Sequence, residues 1–187
     1  MIEVVGGRTI AVIQGDITTL QVDVIVNAAN SALAGGGGVD GAIHAAAGPT
    51  VLEECRGIIA QEGSCATGSS VVTSAGKLPA KWIVHTVGPI WERHGPADSA
   101  TLLTNCYTSS LDAASYVGAT SIAFSAISTG VYGFPKELAA PIAVSTVATW
   151  LQENLGDTTL QDVTLVCFDD DNFRVIRQAV NDLKHRT

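Results

Sequence analysis

Apolar residues along this chain gather in short runs, with longer stretches between them in which apolar positions recur three and four apart. The runs Thr9–Ile13, Val22–Val26, Ser70–Thr73, Trp82–Val87, Ser121–Phe124 and Val163–Phe168 predict strands. Their near-continuous apolarity, in place of strict alternation, predicts strands covered on both faces. Leu103, Tyr107, Leu111 and Ala114 share one helical face, with Asp98 or Ser99 placed to cap that helix and Gly118 to stop it. Pro135 is placed to start another helix running to about Leu155, which Pro141 strains unless it lies near the first turn. Asn172 is the expected cap of a last helix carrying Phe173, Ile176, Val180 and Leu183. Strands alternating with helices predict an α/β sandwich around a mainly parallel sheet, and such sheets bind ligands beyond the carboxyl ends of their strands.

Two small-residue segments fall at such ends. Residues 27–41 read Asn-Ala-Ala-Asn-Ser-Ala-Leu-Ala-Gly-Gly-Gly-Gly-Val-Asp-Gly, between a strand and a helix start. Without a Cβ, the glycine run lets backbone N–H groups close on a ligand, and the following helix adds its positive dipole end, so the segment reads as an anion cradle. Ser128-Thr129-Gly130-Val131-Tyr132-Gly133-Phe134, after the run ending at Phe124, reads as a second cradle. No Lys or Arg occurs from Thr9 to Cys55 or from His94 to Pro135, so an anion bound there must be held by the backbone. Gly36 to Gly41 also matches G-x-G-x-x-G, but no second strand ending in an acid follows about 20 residues on, so a Rossmann dinucleotide site is not expected. Ser128 lacks a G-x-S-x-G context, which argues against a serine nucleophile.

Composition narrows the class. With 187 residues, 47% hydrophobic and 15% charged, the chain is expected to form a single domain over residues 1–187 with a real core. A formal charge of −8 disfavours general nucleic-acid binding. No apolar window is long enough for a membrane span, and Met1 to Val5 carries no leader-like basic and apolar pattern. Cys55, Cys65, Cys106 and Cys167 form no C-x-x-C pair, so reduced, buried thiols in the cytoplasm are expected rather than a zinc or disulfide framework.

Six segments together resemble the macrodomain family, and within it the MacroD-type ADP-ribosyl-hydrolases. They are Gln14-Gly15-Asp16-Ile17-Thr18, Val26 to Asn30, the glycine run through Asp40-Gly41-Ala42-Ile43-His44, Leu78-Pro79-Ala80-Lys81, His85-Thr86-Val87-Gly88-Pro89, and Ile127 to Pro135. They stand in the family's order over roughly residues 8 to 184. The resemblance implies a three-layer α/β/α macrodomain whose central sheet is mixed, mainly parallel, with an antiparallel N-terminal portion. It implies a cytoplasmic, metal-independent hydrolase without cofactor that deacetylates O-acetyl-ADP-ribose and removes mono-ADP-ribose from Asp and Glu side chains. ADP-ribose, its esters and mono-ADP-ribosylated proteins are the implied partners.

Residue by residue, Asp16 either caps a turn or, as the resemblance implies, accepts from the adenine amine beside the Ile17 backbone, with the Phe168 ring against the base. Gly36, Gly37, Gly38 and Val39 would clamp the diphosphate with Ser128, Thr129, Gly130, Val131 and Tyr132, the Tyr132 ring walling the distal ribose. Asn30 would fix that ribose, while Asn27 reads as a loop staple. Asp40 either caps its helix or orients a water for catalysis. His44 shares its helix face but is kept outside the catalytic set. Attack at the ester carbonyl and at the anomeric carbon both remain open. A non-catalytic ADP-ribose reader and an ADP-ribose-1″-phosphate phosphatase are the alternatives. Ala45 stands where the family often has Arg, Ser125 where Pro is frequent, and Gly68-Ser69-Ser70 where Gly-His-Ala is common, which puts rim contacts in question.

Overall fold

The computed structural model describes residues 1–185. Seven strands form one sheet: β1 (Ile2–Val5), β2 (Arg8–Gln14), β3 (Val24–Ala29), β4 (Ser70–Ser74), β5 (Trp82–Val87), β6 (Ser121–Phe124) and β7 (Asp162–Cys167). Their spatial order is β1-β2-β7-β6-β3-β5-β4. The five inner strands run parallel, and the edge strands β1 and β4 are antiparallel to their neighbours. Five helices cover the sheet: α1 (Gly38–Ala47), α2 (Pro49–Glu62), α3 (Trp91–Tyr116), α4 (Lys136–Glu153) and α5 (Asp170–Lys184). Among the described residues, no helix is long and apolar enough to cross a membrane.

Alternate residues of the buried strands feed two cores. Ile25, Ala29, Ile83, Val87, Ala123 and Val166 pack under α1 and α2. Val24, Val26, Val84, Ile122, Phe124 and Leu165 pack under α3, α4 and α5. This is the α/β/α sandwich expected, with antiparallel strands at both edges.

Several element boundaries differ from the sequence reading. The pattern did not predict β1, because two short apolar pairs around Glu3 make a weak edge strand. β3 starts at Val24 because Asp23 ties the strand ends together, accepting from Thr120 N–H and pairing with Lys81 at 2.8 Å. α3 begins at Trp91, well before Asp98, and kinks at Gly95, whose φ of 72° is followed by Pro96. Pro141 sits inside α4, which is held by buried Ala140, Val144, Val147 and Leu151. Asp169, not Asn172, caps α5: its carboxylate accepts from Asn172 N–H at 2.8 Å, because the helix starts three residues earlier than the apolar pattern does. β7 ends at Cys167, so Phe168 lies just beyond the strand.

One buried charge is part of the scaffold. Arg8 on β2 donates to the carbonyls of Asn154, Leu155 and Thr158, closing the carboxyl end of α4 with a cation where the helix dipole is negative.

Candidate active site

The carboxyl ends of the parallel strands all reach one rim, and a two-lobed cleft opens there. One lobe, of about 360 Å³, takes its walls from the ends of β3 and β5, the start of α1 and the loop after β6. The second, of about 470 Å³, lies between the ends of β2 and β7. Gly38, Val39, Ala126 and Gly130 line both lobes and form the waist. Asn30, Gly36, Gly37, Asp40, Ser128, Val131 and Tyr132 line the first lobe, while Asp16, Ile17, Thr129 and Phe168 line the second. The structure therefore brings all the expected site residues into one cleft.

The waist presents backbone N–H groups. α1 begins at Gly38 with no side chain capping its first N–H groups, which leaves them for a ligand. Gly38 has φ +58°, a conformation that favours glycine. Opposite, the loop after β6 closes on itself through Gly133 N–H to Gly130 O and Phe134 N–H to Ser128 O. Among the described residues, those bonds leave the N–H groups of Thr129 to Tyr132 without backbone partners. Ser128 adopts φ +63°, and its hydroxyl is buried against Gly88 with no partner, so the contribution of this residue to the waist is its backbone. Among the described residues, no Lys or Arg lines either lobe.

Asp40 is the third residue of α1, where the dipole favours a carboxylate. Its Oδ1 accepts from Asn27 Nδ2 at 2.8 Å and lies 3.4 Å from His44 Nε2. Its Oδ2 faces the Gly36 wall of the cleft: a Cβ added to Gly36 would stand 3.3 Å from it and 3.9 Å from Asn30 Nδ2. One carboxylate oxygen is thus anchored and the other lies beside Gly36, a residue that lines the first lobe.

Asn27 departs from the part the sequence suggested, whereas Asn30 stands at the cleft. Asn27 is a buried β3 residue bonded to Asp40 and is not a loop staple. Asn30 itself staples the loop, donating to Gly35 O at 2.8 Å and accepting from Ala34 N–H at 3.2 Å, while it lines the cleft. The available signal for Asn27 was parity: it shares the inward face of β3 with Ile25 and Ala29.

In the second lobe, Asp16 caps the 3-10 turn Ile17–Thr19, and its Oδ1 accepts from both the N–H and the hydroxyl of Thr18. Among the described residues, its other oxygen makes no hydrogen bond. Phe168 is 85% exposed, an aromatic face awaiting a partner. Asp169 and Asn172, not foreseen as site residues, line this lobe too. Asn172 bonds Asp169 and accepts from Thr129 Oγ1, joining α5 to the second cradle. Bonds from Asn172 hold the Asp169 carboxyl down at about 2.

His44, Cys55 and His85 form a cluster whose ligand-type atoms lie within 4.8 Å of one another. Both ring nitrogens of His85 are already engaged, by Asn27 and by Thr73. Burial pushes the Cys55 thiol up to about 11, so it is protonated. As it stands the cluster is a hydrogen-bonded scaffold under Asp40, with His44 Nδ1 its one buried ring nitrogen lacking a partner.

Comparison with known proteins agrees with this fold. The family model for the Macro domain matches residues 26–143. An O-acetyl-ADP-ribose deacetylase of Escherichia fergusonii is 54% identical over 171 residues, 91% of this chain and 94% of that protein. The Oceanobacillus iheyensis macrodomain, solved with ADP, superposes with a TM-score of 0.92 at 40% identity, covering 98% of this chain and 95% of that one. The Trypanosoma brucei macrodomain in complex with ADP-ribose superposes with a TM-score of 0.82 at 42% identity, covering 91% and 68%. On the family model, the sequence identity and the shared fold together, this chain belongs to the macrodomain family.

Proposed function

We propose that this chain is a single-domain, metal-independent hydrolase of ADP-ribose esters. It deacetylates O-acetyl-ADP-ribose and releases mono-ADP-ribose from Asp and Glu side chains. The observation that carries the reading is Asp40: a buried carboxylate with Oδ1 tethered and Oδ2 beside Gly36, in a lobe lined by both residues that adjoins two small-residue loops. The deacetylase and the ADP-ribose-bound macrodomain among its relatives support the substrate class.

In this reading adenine enters the Asp16 and Phe168 lobe, and the diphosphate spans the waist on backbone donors. The distal ribose and its ester reach Asn30 and Asp40. Asp40 Oδ2, with a substrate phosphate oxygen, orients a water and draws its proton as the water oxygen attacks. Attack at the ester carbonyl breaks the acyl–oxygen bond of either substrate, and where the acyl group sits on the anomeric oxygen, attack at the anomeric carbon breaks the carbon–oxygen bond of the sugar instead. Either way the products are an acid and ADP-ribose. Four buried, unpaired thiols suit a reducing cytoplasmic setting.

The test uses the pure protein with chelator, a protein mono-ADP-ribosylated on glutamate, and O-acetyl-ADP-ribose, followed by mass spectrometry in ¹⁸O water. Release of ADP-ribose from both is expected, and the position of the label decides between the two routes. Asp40→Ala is expected to lose turnover by about 100-fold or more while ADP-ribose affinity changes little. Tight binding without release would make the chain a reader, and release of inorganic phosphate from ADP-ribose-1″-phosphate would make it a phosphatase.

A further inference from the structure

Beneath α1 and α2, three adjacent strands each bury a polar side chain: Asn27 on β3, His85 on β5 and Thr73 on β4, none more than 2% exposed. Asn27 and His85 are direct partners in the β3–β5 register. Asn27 Nδ2 carries two protons. One goes to Asp40 Oδ1 at 2.8 Å, and the other faces His85 Nδ1 at 3.1 Å. That nitrogen must be bare to accept, so the neutral ring carries its proton on Nε2, which donates to Thr73 Oγ1 at 2.8 Å. The Thr73 hydroxyl in turn donates to the Ser74 carbonyl at 2.9 Å. Each proton along this path has one acceptor.

We propose that His85 is a positioning residue for hydrolysis, acting through Asn27 on Asp40. This inference rests on the reading of Asp40 given above. An amide can present either its NH₂ or its oxygen to a neighbour, and the two ends are nearly the same shape. The Asp40 carboxylate and the bare Nδ1 of His85 both call for a donor, so the ring reinforces the NH₂-forward orientation, which among the described residues leaves Asn27 Oδ1 buried without a partner. The opposite orientation sets the Asn27 oxygen against both a carboxylate and a lone pair. With NH₂ forward, Asp40 Oδ1 is fixed from below and Oδ2 keeps its place beside Gly36. An imidazole that merely filled space would need no particular tautomer and would not respond to the loss of the Thr73 hydroxyl.

The first measurement is on the unaltered protein: long-range ¹H–¹⁵N correlation spectra with ¹⁵N-labelled histidine. His85 is expected as the neutral Nε2–H form, and a ring protonated on Nδ1 would overturn the proposal. The second is kinetic, on O-acetyl-ADP-ribose, with ADP-ribose affinity from calorimetry. His85→Phe keeps the ring volume and removes the acceptor. Thr73→Val keeps the shape and removes only the group that fixes the tautomer, so it serves even if His85→Phe does not fold. Both are expected to lower kcat by about 10-fold or more, with ADP-ribose affinity within about twofold. In an Asn27→Ala background, His85→Phe is expected to cost nothing further. Unchanged kcat in both single variants, or an additive further loss in the double variant, would overturn the proposal. Asp40→Ala is run alongside. If it too keeps full turnover, the reading of Asp40 has failed, and if it alone loses turnover, only the role of His85 has failed.

Discussion

Gly41→Ala sets two well-known effects against each other. Gly41 is the fourth residue of α1, and in a helix interior alanine is favoured over glycine by about 1 kcal/mol. Here a Cβ would stand 2.5 Å from the Gly36 carbonyl oxygen. That oxygen is backbone, so no rotamer change relieves the contact. Restoring an ordinary separation requires the glycine loop or the helix start to move by about 0.8 Å. Overpacking of this size costs about 1–3 kcal/mol, which cancels or exceeds the propensity gain, for a net loss of about 0–2 kcal/mol. The larger effect is expected on turnover. The Gly36 wall adjoins Asp40 Oδ2, and a misplacement near 1 Å at a reacting centre costs about 100-fold. Initial rates of O-acetyl-ADP-ribose hydrolysis by liquid chromatography, with urea titrations for stability, measure both quantities. A variant that is about 1 kcal/mol more stable and fully active would refute the reasoning, because the loop would then not depend on the missing Cβ.

Arg8→Met keeps the stem but strands three carbonyls at the end of α4, and a stability loss of about 3 kcal/mol in urea unfolding is expected with little change in ADP-ribose affinity. Burial, with His44 nearby, holds the His85 ring down at about 3 against an ordinary 6.5. Below pH 6.5 the unfolded chain therefore takes a proton that the folded chain refuses, and stability falls with pH, by about 2 kcal/mol between pH 7.5 and 5. His85→Phe should lack that component when the two are compared by urea titration at each pH. At Asp23, the bond from Lys81, then that from Thr120 N–H, lowers the carboxyl from 3.8 to about 2. The unfolded state binds more protons in that window, so this contribution is present above about pH 4 and is lost as pH falls toward 2. Asp23→Asn should flatten that part of a Tm-against-pH curve.

The α/β alternation and the cleft were legible because their signals are local. Continuous apolar runs mark doubly covered strands, and a glycine run between a strand and a helix start marks the cleft wall. What stayed hidden depends on which strands become neighbours. Nothing in the spacing of Asn27, Thr73 and His85 tells that β3, β5 and β4 lie side by side and stack those three residues under Asp40. Asn27 and Asn30 look alike in sequence, and only the end of β3 separates a strand residue facing inward from a loop residue. The cap of α5 was misplaced for a similar reason: Asp169, Asp170 and Asp171 precede Asn172, and apolar periodicity starts only at Phe173.

The cation-free cleft has a consequence for the rate of encounter. A phosphate site lined with lysine or arginine gathers its ligand from a distance, and added salt slows that gathering. In the proposed binding mode the donors are backbone dipoles whose field fades within a few ångströms, on a chain of formal charge −8. A dianionic ligand approaches against net repulsion and is captured only on arrival. Raising ionic strength should therefore speed association, the reverse of the usual behaviour, while dissociation stays nearly constant. The protein should then bind its ligand faster, and somewhat more tightly, in physiological salt than in dilute buffer.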